Sequence, residues 1–318
     1  MVNLWKTKFS EKKIMKSMNE YHRSVLLKES VEGLAIDGDK KQIFVDLTFG
    51  GGGHSGYILE KMSKNSKLFA FDQDIDAFGN KIEDERLTLI ETNFRYFDKF
   101  IRLFEIYEVD GILADLGVSS FQFDEGSRGF SYKTNEKLDM RMNRNQSFSA
   151  IEVVNEYSEK DLVNIFSKYG EIRNSKQLAN KIVQCRQRFA IEYSDDLIRC
   201  IEEIMRGNKF QYLSQLFQAI RIEVNDEMNA LAEMLRASGK VLKKGGRLSI
   251  ISFHSLEDRL VKNMIKKGNP EGKVVKDDFG NIQKPFKEVV KGIISPSEDE
   301  IESNVRARSA KLRIAEKS

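Results

Sequence analysis

Apolar positions along this chain fall into two successive rhythms. Short apolar runs, several of them closing on an acid, cover residues 43–47, 68–72, 87–91 and 110–115, and read as strands. Between and before them, residues 25–34, 54–62, 74–82 and 94–104 carry helical spacing, with Ser24 as the expected N-cap of the first helix. Strands alternating with helices predict a parallel sheet covered on both faces. The alternation stops near Gly126. Residues 126–145 are polar and aperiodic, and 149–206 are helical throughout. Leu213, Leu216, Phe217, Ile220, Val224, Met228, Leu231 and Leu235 then predict one long amphipathic helix leading back to the sheet. Lys244-Gly245-Gly246 predicts a turn before a fifth strand at 247–253, and 286–290 with 311–315 are candidates for an edge pair. The expected division is a basic arm at 1–20, an α/β domain at 21–130 and 210–318, and a helical insert at 131–209.

Composition narrows the class. With 318 residues, 40% apolar content and three prolines, the chain can bury a large core. A net charge of +3 imposes no global field, but basic residues concentrate locally. Lys168, Arg173, Lys176, Lys181, Arg186 and Arg188 face the single acid Glu171, and Arg306, Arg308, Lys311, Arg313 and Lys317 face Glu316. Either patch suits phosphate contact or is simply a solvated helix face. Cys185 and Cys200 form no C-x-x-C pair, so neither a disulfide framework nor a zinc knuckle is expected. No apolar run reaches membrane-span length, and 1–20 lacks a signal-peptide core, so a cytoplasmic protein without membrane contact is expected.

Candidate chemistry gathers after the first strand. Gly50, Gly51, Gly52 and Gly53 cannot extend it, and a helix follows whose free N–H groups face the turn. Such a turn is either a bare connector or a nucleotide cradle. No Gly-Lys-Ser/Thr follows, which argues against a triphosphate, whereas a dinucleotide is harder to exclude. Asp72 closes the second strand, where a carboxylate can accept both hydroxyls of a ribose; the alternative is a cap for 74–82. Asp46 and Asp115 fall at neighbouring strand ends. His254 lies just past the fifth strand and is expected to reach the same crevice, while His54 shapes the glycine loop. With His22 these are the three histidines, and their spacing gives no support for a metal site. Leu138-Asp139-Met140-Arg141-Met142 is either a core stripe with an internal ion pair or part of a lid.

Six separated blocks carry a resemblance: Thr48-Phe49-Gly50 with Gly52-Gly53-His54-Ser55, residues 115–120, 138–142, 217–222, 246–259 and 306–309. Together they resemble the MraW/RsmH family, S-adenosylmethionine-dependent methyltransferases that modify N4 of a cytidine in small-subunit ribosomal RNA at the decoding centre. The resemblance covers roughly residues 21–318. It implies a class I (Rossmann-like) methyltransferase sheet with an inserted all-helical domain, and S-adenosylmethionine as cofactor. By position it implies cofactor contacts at Gly52, Gly53, His54, Asp72, Phe94, Asp115 and Gln122, with Asp115 and His254 as catalytic candidates. The implied partner is small-subunit ribosomal RNA, within an assembled or nearly assembled subunit; homodimerisation stays open. Two departures stand out: Gly51 replaces a usual basic residue, and the arm before Tyr21 is longer than the resemblance requires. A DNA or protein methyltransferase on the same sheet, and an assembly factor that keeps the pocket only for binding, are the rival readings.

Overall fold

A computed structural model describes residues 24–119, 122, 123 and 125–318, so the arm at 1–20 and His22 lie outside the described residues. Two compact units emerge: one comprises 24–72, 76–117 and 232–318, the other 73–75 and 118–231.

The first unit is a seven-stranded sheet of order β3-β2-β1-β4-β5-β7-β6. Its strands are β1 (Ile43–Asp46), β2 (Lys67–Asp72), β3 (Leu87–Glu91), β4 (Val109–Asp115), β5 (Leu242–Ser252), β6 (Phe286–Glu288) and β7 (Lys311–Lys317). The first five run parallel, and β7 is antiparallel to both β5 and β6. Phe44 and Val45 in β1, and Ile112, Leu113 and Ala114 in β4, are all buried, as strands covered on both faces require. Helices α1 (Leu27–Glu32) and α2 (Gly53–Lys61) lay Val31, Ile58 and Leu59 against Phe44, Leu68 and Leu113. The sheet reverses its order between β1 and β4, which opens a crevice at their carboxyl ends.

Three local expectations change here. Ser24 is not the N-cap of α1: Leu26 is, in a left-handed conformation and without a side-chain cap. Ser24 instead presses against the glycine turn, where a Cβ on Gly53 would sit 2.1 Å from its Oγ. The turn expected at 244–246 lies inside β5. Val109 pairs with Leu242 and Gly111 already with Arg247, so residues 243–246 bulge out of the ladder, with Gly245 at φ 81°. The 74–82 helix shrinks to a 3-10 segment, Ile75–Asn80, and 94–104 divides into a 3-10 turn (Phe94–Tyr96) and α3 (Phe97–Leu103).

The second unit is helical, built on α4 (Ala150–Glu156), α5 (Glu159–Lys168), α6 (Ser175–Arg186), α7 (Ser194–Ile201) and α8 (Lys209–Val224). The long helix expected from 213 to 235 is two helices: α8 ends at Val224, Asp226 turns at φ 48°, and α9 (Glu227–Val241) begins. Leu213, Leu216, Phe217 and Ile220 pack with Leu162, Phe166, Leu178 and Leu197, so α8 belongs to the helical core. The observed unit is therefore wider than the 131–209 of the sequence reading. Leu138, Met140 and Met142 are buried in that core, and Arg141 pairs with Asp139 at 2.6 Å, which is the core-stripe alternative.

The expectation of unpaired cysteines is overturned: Cys185 and Cys200 form a disulfide between the last turns of α6 and α7. They stand 15 positions apart, and their pairing arises from how two helices pack, which C-x-x-C spacing cannot reveal.

Candidate active site

The glycine turn sits where β1 leaves the sheet. Gly50 (φ 50°) and Gly52 (φ 76°) occupy the left-handed region, while Gly51 and Gly53 do not. A Cβ on Gly50 or Gly51 would meet nothing within 4 Å, so open space lies beside the turn there, whereas Gly53 is a glycine because of Ser24. Gly52 precedes α2, whose first N–H groups head toward this turn. Asp72, closing β2, accepts a hydrogen bond from Gly50 N–H at 2.8 Å and so ties the second strand to the loop. Thr92 N–H donates to the Asp72 carbonyl at 2.9 Å; two residues on, half-buried Phe94 opens its 3-10 turn.

Behind the turn is a buried acid–imidazole cluster. Asp46, fully buried, accepts from Thr48 N–H at 3.1 Å and Ser55 Oγ at 2.7 Å. Burial raises its carboxyl above the usual range even so, against the pull of His54 and these donors. His54, on the first turn of α2, holds Nε2 3.2 Å from the Val25 carbonyl. Only an N–H is welcome there, so Nε2 carries the proton and Nδ1 is left as a lone pair. Burial pushes the His54 pKa down, which keeps the ring neutral. Nδ1 lies 3.8 Å from Asp115 Oδ2.

Asp115 ends β4, with Thr48 Oγ1 accepting its backbone N–H at 2.7 Å. Burial, followed by the charges of Asp46, Glu257 and Glu300, holds its carboxyl well above the ordinary aspartate range. Its neighbour in register is Ile251 on β5, and three residues further His254 caps α10 (Ser255–Lys267). There His254 Nδ1 accepts from Glu257 N–H at 3.4 Å, while Glu257 Oε2 accepts from Phe253 N–H at 2.8 Å and His254 N–H at 3.3 Å. His254 Nε2 is 3.2 Å from Glu257 Oε1 but not aligned to donate to it. Among the described residues, Asp115 Oδ1 and His254 Nε2 are the buried side-chain polar atoms without a hydrogen-bond partner. An unmade acceptor and an unmade donor on adjacent strand ends are costly to maintain, and such groups concentrate where a ligand completes them.

The candidate list thus divides by unit. Gly52, Gly53, His54, Asp72, Phe94, Asp115 and His254 all belong to the sheet unit. Gln122 belongs to the helical unit, where its Nε2 donates to Asp74 Oδ2 at 2.6 Å and its Oε1 accepts from Ser119 N–H at 3.0 Å. Arg128 pairs with the same Asp74 oxygen at 2.9 Å. Missing from the list were Thr48, Ser55, Glu257 and Glu300. The spacing His254-x-x-Glu257 is a capping-box signal and was legible. Glu300 was not: it reaches Leu26 N–H at 2.7 Å across a sequence separation of 274 residues.

Several basic residues prove structural. Arg186 donates to the Val154 and Tyr157 carbonyls at 2.9 and 2.7 Å, Lys181 pairs with Glu203, and Arg313 is buried against Asp258 at 2.7 Å. Arg173, Lys176, Arg188 and Arg308 stay exposed. No helix among the described residues is long and apolar enough to cross a membrane.

Comparison with known proteins fits this architecture. A curated ribosomal RNA small subunit methyltransferase H from Christiangramia forsetii is 52% identical over 304 residues, covering 95% of this chain and 100% of its own. One of the same name from Bacteroides fragilis is 51% identical over 298 residues, covering 93% and 97%. A solved rRNA methylase from Streptococcus thermophilus aligns over 93% of this chain and 98% of its own, at 14% identity and a TM-score of 0.38, too distant to carry an argument. The model of the MraW methylase family matches residues 19–318, and the chain belongs to that family.

Proposed function

We propose that this chain transfers a methyl group from S-adenosylmethionine to N4 of a cytidine in small-subunit ribosomal RNA near the decoding centre. The observation that carries the reading is the pair of unpartnered atoms, Asp115 Oδ1 and His254 Nε2, at adjacent strand ends beside the glycine turn. The relatives' name supports ribosomal RNA as substrate, and the six-block resemblance supports the cytidine amine.

The residues present suit the cofactor. Open space beside Gly50 and Gly51 admits a ligand against the backbone, and the acids around Asp115 make an electronegative recess that favours a cation. S-adenosylmethionine supplies an electrophilic methyl group on a positively charged sulfur. Asp72 would accept the ribose hydroxyls while holding the Gly50 N–H, Gly52 and Gly53 would present backbone, Phe94 would lie near the adenine, and Gln122 would hold Asp74 Oδ2 and the Ser119 N–H.

Cytosine N4 is a poor nucleophile because its lone pair is delocalised into the ring. An acceptor that draws one N4–H toward itself favours the pyramidal amine, and orientation of this kind removes several kcal/mol of barrier. Asp115 is that acceptor. As N4 gains a carbon it loses a proton, and a carboxylate with raised pKa is a better receiver than an ordinary one. His54 Nδ1, a lone pair 3.8 Å from the other oxygen, gives the carboxylate no compensating charge, while the His254 Nε2–H is placed to donate to the base. The base must leave its stack to reach this recess. Tritium transfer from labelled S-adenosylmethionine to naked RNA, small subunits and DNA tests the reading. Label is expected in N4-methylcytidine of small-subunit RNA; label confined to DNA or protein refutes it.

A further inference from the structure

The segment after α10 folds into a short two-stranded ribbon with no buried reason for its composition. Lys276 and Ile282 form an antiparallel bridge, and Gln283 N–H donates to the Val275 carbonyl at 2.9 Å. The tip is held by hydrogen bonds to its own backbone. Asp277 Oδ1 accepts from Phe279 N–H at 3.0 Å and Asn281 N–H at 2.8 Å, Asp277 N–H donates to the Asn281 carbonyl at 2.9 Å, and Gly280 completes the turn at φ 84°. This scaffold presents Phe279 at 90% exposure, the highest among the large exposed apolar side chains described. Val274, Val275 and Ile282 on the ribbon's arms are exposed as well. A ring displayed on so well bonded a turn contributes nothing to folding, and exposed aromatics of this kind mark recognition.

Charge decides what it recognises. Residues 262–291 hold eight lysines against four acids. Three of those acids are already engaged: Glu271 by Arg236, Glu288 by Lys266, and Asp277 by the tip backbone. Lys273, Lys276 and Lys284, spread along both arms, are exposed and make no ion pair among the described residues. An exposed aromatic tip flanked by unpaired lysines is the chemistry that binds single-stranded nucleic acid, with a base on the ring and phosphates on the ammonium groups.

We infer that the ribbon at 273–284 is an RNA-contact element, in which Phe279 stacks on an unpaired base and Lys273, Lys276 and Lys284 neutralise the flanking phosphates. It rests on the reading of RNA as the substrate, but it is a surface separate from the glycine-turn crevice. Anisotropy of a fluorescein-labelled RNA single strand of about 16 nucleotides, titrated with the full chain, reads binding without reference to catalysis. Failure of methyl transfer would therefore leave the titration decisive.

Phe279→Ala should weaken binding about tenfold, the scale of one base–aromatic stack, with the salt dependence unchanged. Phe279→Trp should restore it, and the new indole should lose emission as RNA is added, above the baseline of the single native Trp5. The triple variant Lys273→Gln, Lys276→Gln, Lys284→Gln should weaken binding and flatten the log–log salt slope by roughly 2. Wild-type affinity in both the alanine and the glutamine variants overturns the inference. So does sedimentation showing that Phe279→Ala dissociates a dimer while RNA affinity stays intact, which would assign the ribbon to a second copy of the chain.

Discussion

Asp115→Asn should abolish most methyl transfer and make the protein more stable. The carboxyl lies among Asp46, Glu257 and Glu300, with one oxygen buried and unpartnered, and its pKa is raised chiefly by burial. A folded-state pKa above the unfolded value means that the folded state holds the proton more tightly. The neutral acid is tolerated at low pH, and stability is lost as pH climbs through the raised pKa. Asparagine keeps the shape, does not titrate, and turns an N–H toward the surrounding acids.

The magnitude follows from the unmade bond. A buried unsatisfied polar group costs about 1–3 kcal/mol, and a unit of this size gains roughly 2–4 °C per kcal/mol. A rise in melting temperature of several degrees is expected at pH above the raised pKa, shrinking toward zero as pH falls below the ordinary aspartate value of about 4. Single-turnover transfer at saturating S-adenosylmethionine should fall a hundredfold or more, the usual loss for one electrostatic contributor to a transition state. The wild-type rate should itself rise with pH on the acid side, as the carboxyl ionises. Differential scanning calorimetry across pH, beside rapid-quench transfer on the same preparation, checks both halves. A variant less stable than wild type at the alkaline end would refute the electrostatic reasoning. A near-wild-type rate would return Asp115 to a structural role and make His254 the next candidate acceptor.

Three further outcomes are expected. Asp72→Ala should reduce S-adenosylmethionine affinity by tenfold or more in calorimetry, since a charge-assisted bond of about 1.5–3 kcal/mol is removed and Gly50 N–H loses its acceptor; unchanged affinity would leave Asp72 as loop support alone. Replacing Arg173, Lys176 and Arg188 by glutamine should weaken RNA binding and flatten its salt slope without altering the melting temperature, whereas Arg186→Gln should cost about 1–3 kcal/mol of stability because it frees the Val154 and Tyr157 carbonyls. Denaturation of the helical unit with and without reductant should differ by about 3 kcal/mol, as expected for a closed loop of this length, and identical curves would show that the Cys185–Cys200 link contributes nothing.

What could be read from the chain depended on whether its cause was local. The strand-ending acids were legible because a strand covered on both faces must be apolar until it leaves the sheet, so Asp46, Asp72 and Asp115 mark the exits. Gly50 and Gly52 were legible for the same reason, as the residues that turn the chain there. The β5 bulge was not: a Lys-Gly-Gly sequence looks identical whether it reverses the chain or loops out between paired residues, and only pairing with β4 distinguishes them. Arg186 and Arg313 looked like phosphate ligands because composition records charge and not the carbonyls or carboxylate that remote segments bring to it. Gly53 has a second reason to be glycine that the sequence hid, the Ser24 hydroxyl that a Cβ there would meet.

The site's electrostatics join these observations into one argument. A glycine turn alone is equally suited to anionic phosphates, since helix N–H groups favour negative charge. Here the strand ends around it carry Asp46 and Asp115, and Glu257 and Glu300 add their charge from the C-terminal third of the chain. His54 does not compensate, because burial keeps it neutral, and the Val25 carbonyl takes the Nε2–H so that the Nδ1 lone pair faces Asp115. A phosphate placed there would add to the repulsion that already raises Asp115, whereas a cationic group would relieve it and draw the carboxyl toward ionisation. On the proposed assignment, cofactor binding and activation of the acceptor would be one event. A ligand with positive charge at its reactive end would lower the Asp115 pKa as it arrives and, on the proposed assignment, would prepare the carboxylate for the amine proton. The same coupling requires that S-adenosylmethionine bind with release of protons at pH below the raised Asp115 pKa. Calorimetry in buffers of different ionisation enthalpy should detect that release, and it should vanish in Asp115→Asn. Proton release undiminished in the asparagine variant would place the titrating group elsewhere in the acid cluster.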